Sequence, residues 1–322
     1  MAGHFIRYDL GNRRASWPNV SDIKPTRLER SKSELAQLGQ IDDNSARPVD
    51  EIEFGEAGFQ PVEKAGDGKY GIEQSNPDAY DGHYFYTNNG LVLVEMGDGA
   101  RYRGSGCLIG PRILLTAGHV VHEGGQAIST SFVRNFPFET TAVAASRIYV
   151  MPRWAQLQDF EHDLAIVYLD KAHNADGFHG ITINAPFEEA RNHYGWSTVS
   201  YPATLPGKDP CLDMVRDGGP KSHAAFQHGN MYYRAGVVAW DHWDLSPGAS
   251  GGPWISNNSH PSVRLGQVLL PGQQGPRLFV PMINGVNSYS LSDKSGMIYG
   301  PDFRDAHGSF INAVLADIAL NP

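Results

Sequence analysis

The alternation of apolar and polar positions separates a strand-rich body from a weakly patterned first part of the chain. From about residue 84 onward, short apolar runs alternate with turns rich in glycine, proline and asparagine, which is typical of β-strands. Residues 90–96 and 102–109 flank Gly97-Asp98-Gly99 and are predicted to form a hairpin. Residues 113–117, 142–149 and 164–169 continue this first group of strands.

A second group of strands follows, and the chain ends in a helix. The predicted strands cover residues 197–201, 223–233, 237–240, 253–256, 265–270 and 281–289. Residues 309–320 are predicted to form a helix with Ser309 as its N-cap. Its one apolar face contains Phe310, Ile311, Val314, Leu315 and Ile318. The pattern therefore indicates an all-β body with two successive groups of strands and a C-terminal helix.

Composition narrows the range of partners. The chain has 322 residues, 36 glycines, 21 prolines and a formal net charge of -9. A negative surface without a basic cluster argues against nucleic-acid binding and against an anionic membrane surface. No window reaches about 20 consecutive apolar residues, so no membrane span is predicted.

Residues 1–80 differ from the body in composition and in hydrophobic pattern, and they are treated as an N-terminal extension. Pro25, Thr26 and Glu29 have the spacing of a helix start, Leu28, Leu35 and Leu38 would form its apolar face, and Gly39 would end it. Residues 41–76 are acidic, glycine-rich and weakly periodic. The extension is either a propeptide or a docking segment for a regulatory protein partner, or else a strap packed on the surface of the body.

The termini and the two cysteines bear on the compartment. Residues 1–18 lack the apolar core of a secretory signal, so a cytoplasmic location is expected if Met1 is the native start, and secretion if a signal peptide has been removed. Cys107 and Cys211 are too few for a disulfide framework. Two free thiols are favoured, although a single bridge between them is compatible with the sequence.

Three residues suit nucleophilic catalysis. Ser250 lies in Gly-Ala-Ser-Gly-Gly-Pro (residues 248–253), where small neighbours leave its hydroxyl accessible. A serine hydroxyl needs a base and an acid that orients the base. His119 ends one apolar run and Asp163 opens another, which offers both. The order His, Asp, Ser is that of the chymotrypsin-type arrangement and differs from subtilisin and the α/β-hydrolases.

Other interpretations of these residues are weaker. Each residue alone has an ordinary structural explanation, as a loop serine, a strand-end histidine or a turn aspartate. Residues 248–252 match the G-x-S-x-G elbow, but residues 243–247 are polar and Pro253 opposes the helix that this motif requires. Residues 119–123 (His-Val-Val-His-Glu) lack the H-E-x-x-H spacing of a zinc site. We predict no metal and no cofactor.

The segments TAGH around His119, HDLAIVYL around Asp163 and GASGGP around Ser250 together resemble the three motifs of trypsin-like serine proteases. Leu-Thr-Ala-Gly-His-Val-Val and Ser-Tyr-Pro at 200–202 are similar to the bacterial glutamyl-endopeptidase-like branch. The resemblance covers about residues 85–322 and implies a protease domain at 81–322. It also implies two six-stranded antiparallel β-barrels of the chymotrypsin-like kind, at about 84–190 and 195–306.

The resemblance also implies roles for residues around the triad. The backbone amides of Gly248 and Ser250 would bind the oxyanion, Ser288 would hydrogen-bond Asp163, and residues 288–290, including Tyr289, would pair with substrate as an added strand. One position departs from the family. Trypsin-like zymogens carry an aspartate just before the nucleophile, which receives a newly cut N-terminal ammonium, whereas this chain has Ala249. Activation through that ion pair is not expected.

Substrate specificity rests on fewer residues. Asp244 stands where trypsins carry the carboxylate that selects Lys or Arg at P1, the residue before the cleaved bond. The glutamyl-endopeptidase-like branch instead relies on a histidine and a hydroxyl residue, which would align here with Asn287 and Leu245. We therefore predict Lys or Arg at P1, with Asp244, Asn287, Ser288 and Tyr289 lining the substrate cleft.

The predicted function is that of a serine endopeptidase acting on polypeptide substrates. A catalytically silent protein-binding module on the same fold is one alternative, although the presence of all three triad residues argues against it. A serine hydrolase acting on small esters is the other, and it differs in failing to cut polypeptides.

Overall fold

The structure is a computed structural model that describes residues 3–11, 15, 17, 23–25, 29–30, 73–74, 87–174, 177–183, 196–203, 215–219, 237–241, 248–256, 282–288, 290–291 and 297–322. The strands are β1 (Ile6–Asp9), β2 (Lys24–Pro25), β3 (Glu29–Arg30), β4 (Glu73–Gln74), β5 (Asn89–Met96), β6 (Arg101–Gly110), β7 (Ile113–Thr116), β8 (Ala127–Arg134), β9 (Val143–Val150), β10 (Ala165–Leu169), β11 (Gly180–Ile181), β12 (Trp196–Ser200), β13 (Val215–Gly219), β14 (Val237–Asp241), β15 (Pro253–Ser256), β16 (Met282–Val286), β17 (Ser290–Leu291) and β18 (Met297–Pro301). The α-helices considered below are α1 (Gly118–Val121), α2 (Pro152–Leu157) and α3 (Asp305–Leu320), and a 3₁₀ turn covers Phe160–His162. Among the described residues, no helix has the length and apolarity to cross a membrane.

The first group of strands closes into a six-stranded antiparallel barrel. Its order is β9, β10, β7, β6, β5 and β8, and pairing between β8 and β9 completes the ring. The predicted hairpin is confirmed as β5 and β6, with Gly99 at a positive φ of 82° in the turn. Val92, Leu114 and Val167 share one face of the barrel wall by register and are fully buried. The apolar runs thus form strands because their side chains fill this core; β8 was not predicted.

The second group of strands forms a separate sheet. Its order is β11, β16, β15, β12, β13 and β4, and β14 pairs with β18. Closure of these strands into a second barrel stays a prediction, and the strands predicted at residues 223–233 and 265–270 lie outside the described residues. Strand β11 pairs in parallel with β16, so Gly180 and Ile181 belong to this second sheet, while the boundary near residue 190 stays a prediction.

The described parts of the N-terminal extension pair with the body. Strand β1 adds to β9, β2 adds in parallel to β6, β3 adds in parallel to β17, and β4 adds to β13. The predicted helix, capped by Thr26 and Glu29, is therefore wrong at Glu29 and Arg30, which are extended. The cap spacing is a local signal, and pairing with open strand edges of the body outweighs it. Leu10 and Ile23 are buried in the core.

The C-terminal helix is confirmed, but α3 begins at Asp305, four residues before the predicted Ser309 cap. The backbone N–H of Arg304 donates to Nδ1 of His307 at 3.0 Å, and His307 Nε2–H donates to the carbonyl of Glu161 at 2.7 Å. Burial lowers the pKa of His307 to about 4, so the ring is neutral and Nδ1 is free to accept. An imidazole acceptor at the third helical position thus caps the helix, which the usual cap residues did not indicate.

Cys107 lies in β6 as a buried free thiol. Burial raises its pKa, because the thiolate would be far from water. The preference for free thiols is therefore confirmed for Cys107, while Cys211 lies outside the described residues.

Candidate active site

His119 stands on the single turn α1, directly after barrel strand β7. Its side chain is buried, with a residue exposure of 1%. Gly118 makes the turn possible, because a Cβ there would lie 2.6 Å from Trp154 Cδ1 and 2.9 Å from Asp163 Oδ1. Only glycine allows the Asp163 carboxylate to approach the start of α1 this closely.

Asp163 follows the 3₁₀ turn and is fully buried. Its Oδ1 accepts the backbone N–H of His119 at 2.7 Å, and its Oδ2 accepts the His119 Nδ1–H at 2.8 Å. The Ser288 hydroxyl also donates to Oδ2. A carboxylate oxygen accepts hydrogen bonds, so the contact with Oδ2 places the imidazole proton of His119 on Nδ1. The lone pair of His119 is therefore on Nε2.

The Nε2 atom of His119 is poised to act as a base. It is buried and has no hydrogen-bond partner among the described residues. The indole of Trp154 packs edge-on against the imidazole, with the ring centroids 6.2 Å apart, and its Nε1–H donates to the His122 carbonyl at 2.8 Å. Trp154, which the sequence did not single out, thus forms a fixed apolar wall beside the base.

The loop at residues 248–252 carries Ser250 in a backbone that needs glycine. Gly248 has a φ of +97° and Gly251 a φ of +85°, a region that L-residues with a Cβ rarely adopt. Ser250 is 7% exposed. In the described part of the chain, the backbone N–H groups of Gly248 and Ser250 donate no hydrogen bond. Both donors are therefore available to a ligand.

The first barrel contacts this loop directly through β6. The backbone N–H of Ser105 donates to the Ser250 carbonyl at 2.7 Å, and the Ser105 hydroxyl donates to the Gly248 carbonyl at 2.8 Å. A Cβ on Gly251 would lie only 2.2 Å from both Ser105 O and Thr116 Oγ1. Because Thr116 ends β7, three residues before His119, the loop packs against the strand that delivers the base. No sequence motif marks Ser105, whose role depends on contact between distant segments.

The structure describes two of the four residues predicted to line the substrate cleft. Ser288 is buried and donates to Asp163, as the resemblance implied. Asn287 is fully buried, with its side-chain amide engaged by protein groups on both ends. Asp244 and Tyr289 lie outside the described residues.

One cluster has the residue types of a cation site. Ligand atoms of Asp159, Glu161 and His162 lie within 4.8 Å of one another. However, Nη2 of Arg153 lies 2.7 Å from Asp159 Oδ2 and already supplies a positive charge. Burial raises the pKa of Glu161 to about 7, so this carboxyl holds its proton where a metal would need it ionised. The cluster fits an internal charge network better than a metal centre.

Comparison with known proteins agrees with this geometry. The family of the trypsin-like peptidase domain matches residues 104–261. A protease, Anisep from Arthrobacter nicotinovorans, superposes with a TM-score of 0.57 at 20% identity, covering 76% of this chain and 99% of that one. A search of curated protein sequences finds no match.

Two further solved structures show the same fold. The thermostable serine protease AL20 from an extremophilic microorganism has a TM-score of 0.53 at 21% identity, covering 72% of this chain and 99% of its own. A Glu endopeptidase has a TM-score of 0.56 at 16% identity, covering 77% and 98%. With the match of residues 104–261 to the trypsin-like peptidase family, these findings show that the chain contains a trypsin-like peptidase domain with the fold of serine proteases.

Proposed function

We propose that Ser250, His119 and Asp163 form the catalytic triad of this endopeptidase. The observation that carries the proposal is the buried His119–Asp163 pair, joined at 2.8 Å, with its Nε2 unpartnered among the described residues. This pair lies where the Ser250 loop packs against β6 and β7. Such a pair is a general base that awaits a hydroxyl proton.

The reaction follows from these positions. His119 Nε2 takes the hydroxyl proton of Ser250 as Oγ attacks the carbonyl carbon of the peptide bond, and Asp163 stabilises the resulting imidazolium. The proton then passes from Nε2 to the leaving nitrogen as the C–N bond breaks, leaving an acyl group on Oγ. Water attacks that ester, again losing a proton to Nε2, and releases the carboxylic acid and the free serine. Each proton taken by the base is returned within the cycle.

The Gly248 and Ser250 amides would bind the oxyanion of both tetrahedral intermediates. They donate to no described acceptor, and Ser105 bonds to the carbonyls of the same two residues, which holds the loop that carries them. Donors held in place before the charge develops stabilise it without reorganisation.

For the P1 residue we propose Lys or Arg, selected by Asp244. A Glu endopeptidase is among the structural neighbours, which keeps a glutamate preference as the competing outcome. The buried, fully engaged side chain of Asn287 supports the basic preference, because it offers no spare donor to a substrate carboxylate at the position where that branch uses histidine.

The proposal is tested by digesting a proteome-derived peptide library with the full chain and reading the cut sites by mass spectrometry. Cuts after Lys or Arg that disappear in Ser250→Ala and weaken in Asp244→Ala support the triad and the pocket. Ser146→Ala is the matched control, because its hydroxyl donates to the Tyr168 carbonyl on β10, within the barrel wall. Ester turnover without peptide cleavage would identify a small-ester hydrolase, and no Ser250-dependent turnover would identify a binding module.

We also propose that the N-terminal extension controls access to this cleft. Pro25 Cβ lies 3.3 Å from where a Cβ on Gly248 would stand, beside the proposed oxyanion donors. Four residues later, Glu29 in β3 pairs with Ser290, within the segment 288–290 proposed to pair with substrate. A substrate strand and β3 would compete for the same backbone groups. A regulatory protein that draws the extension away would open the cleft.

A reversible disulfide tests this control in the full chain. Truncation is unsuitable, because β1 of the extension is part of the barrel sheet and its removal would damage the fold. Glu29 and Ser290 are register partners, and paired strand residues lie within disulfide reach. The double variant Glu29→Cys/Ser290→Cys should lose peptide cleavage when oxidised and regain it on reduction, whereas each single variant should not respond. Equal activity of the oxidised and reduced double variant, with the bridge verified by mass spectrometry, would refute the control.

A further inference from the structure

Asn287, at the end of β16, makes an unusual number of contacts with the loop that carries Ser250. Its backbone N–H donates to the Gly252 carbonyl at 2.8 Å, and its own carbonyl accepts the Gly251 N–H at 2.8 Å. Its side-chain Nδ2 donates to the Ala249 carbonyl at 3.1 Å. Backbone and side chain of one residue thus bind three of the loop's peptide groups.

The remaining side-chain bonds of Asn287 hold its amide in a fixed orientation. Nδ2 also donates to Thr198 Oγ1 at 2.9 Å, and Oδ1 accepts the Trp254 Nε1–H at 2.6 Å. Asn287 and Trp254 are fully buried, as is Thr198. Both donor hydrogens and the acceptor are therefore used, and rotating or exchanging the amide would leave buried polar groups unpaired.

The bond to Ala249 bears on catalysis through the geometry of one peptide group. The carbonyl of Ala249 and the N–H of Ser250 belong to the same planar amide, and in a trans amide they point in opposite directions. Fixing the carbonyl toward Asn287 therefore fixes the direction of the Ser250 N–H, one of the two oxyanion donors. The Ala249 carbonyl also accepts the Gly252 N–H at 3.0 Å within the loop, so Asn287 supplies the bond that holds this turn from outside the loop. Without that outside bond, glycine at Gly248 and Gly251, with φ values of +97° and +85°, permits the turn to rotate as a unit.

We propose that Asn287 is a positioning residue that holds the oxyanion-binding peptide in its active orientation by a neutral hydrogen bond, so that this part of the site is assembled without a cut N-terminus. The inference rests on the proposed function of Ser250. Its physical basis is that Ala249 has no charge with which to anchor the loop, whereas Asn287 supplies an internal anchor from β16.

The test compares Asn287→Leu with the matched control Asn284→Leu in the full chain. Asn284 lies on the same strand, is 1% exposed, and donates to Asp302 Oδ1 at 3.2 Å, away from the Ser250 loop. Both substitutions remove a buried amide, so both should lower the melting temperature. Only Asn287→Leu should lower kcat on the best-cleaved peptide, by about 100-fold as for loss of an oxyanion donor, with KM changed less than threefold. Rates are counted per active site titrated with a fluorophosphonate.

A second readout separates positioning from general damage. The boronate analogue of the best-cleaved peptide forms a tetrahedral adduct whose oxygen occupies the oxyanion site. Its dissociation constant should rise by the same factor as kcat/KM falls in Asn287→Leu. Asn287→Asp retains the acceptor for Trp254 but replaces both Nδ2–H donors by an oxygen that repels the Ala249 carbonyl, so it should lose at least as much as Asn287→Leu in both measures.

Three results decide the matter. Parallel losses in kcat/KM and boronate affinity, confined to Asn287, support the positioning role. Equal kinetic losses in Asn284→Leu, or unchanged boronate affinity in a folded Asn287→Leu, overturn it while leaving the triad intact. A wild-type protein that neither cleaves peptides nor binds the boronate overturns the proposed function, and the positioning role with it.

Discussion

Replacing Gly251 by alanine would test whether the Ser250 loop is placed by its contact with the first barrel. Alanine adds one methyl group at a φ of +85°. That methyl would lie 2.2 Å from Ser105 O and Thr116 Oγ1 and 3.1 Å from the Ala117 nitrogen. Two of these atoms are backbone in a barrel wall, so they cannot rotate away as a flexible side chain would. The loop itself must move.

The size of the movement sets the expected effect. Real Cβ atoms essentially never approach another heavy atom within 3.0 Å, so the loop must retreat by roughly 1 Å, carrying Ser250 with it. Displacing a reacting group by about 1 Å typically lowers the rate about 100-fold. The left-handed backbone adds about 1–2 kcal/mol of destabilisation, which lowers the melting temperature without changing the rate per folded molecule.

Gly99→Ala provides the matched control. Gly99 has a nearly equal φ of +82°, is exposed in the β5–β6 turn, and has no heavy atom within 4 Å of an added Cβ. It should therefore show the backbone penalty in thermal unfolding but keep wild-type kcat/KM on a peptide substrate. If Gly251→Ala retains activity within threefold of wild type, or if Gly99→Ala loses as much, the contact between the loop and β6–β7 does not position Ser250.

Three further predictions concern single groups. Ser288→Ala removes a buried donor to Asp163. The unfolding free energy should fall by about 2 kcal/mol, and kcat/KM should fall about tenfold. Ser288→Thr keeps the hydroxyl and should retain most of the stability and of the activity. Glu161→Gln removes a carboxyl whose pKa is raised by burial from 4.5 to about 7. Such a group stabilises the fold below pH 4.5 and loses that contribution as the pH rises through 7. In urea titrations, the unfolding free energy of the variant should therefore rise relative to that of wild type between pH 4.5 and 7. Parallel pH profiles of the two proteins would contradict the raised pKa. Cys107, fully buried with a raised pKa, should resist iodoacetamide in the native protein at pH 8 and react only after denaturation; native labelling of its peptide, read by mass spectrometry, would show that β6 opens.

The first barrel could be predicted from sequence because its strands are long apolar runs ended by clear turn residues. The hairpin at residues 90–109 is the clearest example, with Gly99 in the turn that the pattern indicated. The helix expected from Pro25 onward failed for the opposite reason. Its cap spacing was local, whereas the extended form of Glu29 and Arg30 depends on an open edge at β17, about 260 residues further along the chain.

The candidate site divides in the same way. His119, Asp163 and Ser250 lie in short segments whose residue types are themselves characteristic, so motif and order were enough to select them. Ser105, Trp154 and His307 carry no such signal. Each acts through a contact with a distant segment: Ser105 with the Ser250 loop, Trp154 with α1, and His307 with the carbonyl of Glu161 just before Asp163. Contacts of this kind appear only once the chain is folded.

The Ser250 loop is held by both halves of the protein, which bears on the proposed chemistry. His119 and Asp163 belong to the first barrel, whereas Ser250 precedes β15 of the second sheet, so proton transfer requires the two halves to be aligned within a fraction of an ångström. Ser105 supplies that alignment by two bonds to the loop from the barrel side, and Asn287 by three from the sheet side. These bonds lie in buried surroundings, where an unpaired partner is costly. Buried hydrogen bonds therefore hold the two halves together at the point where the reaction would take place.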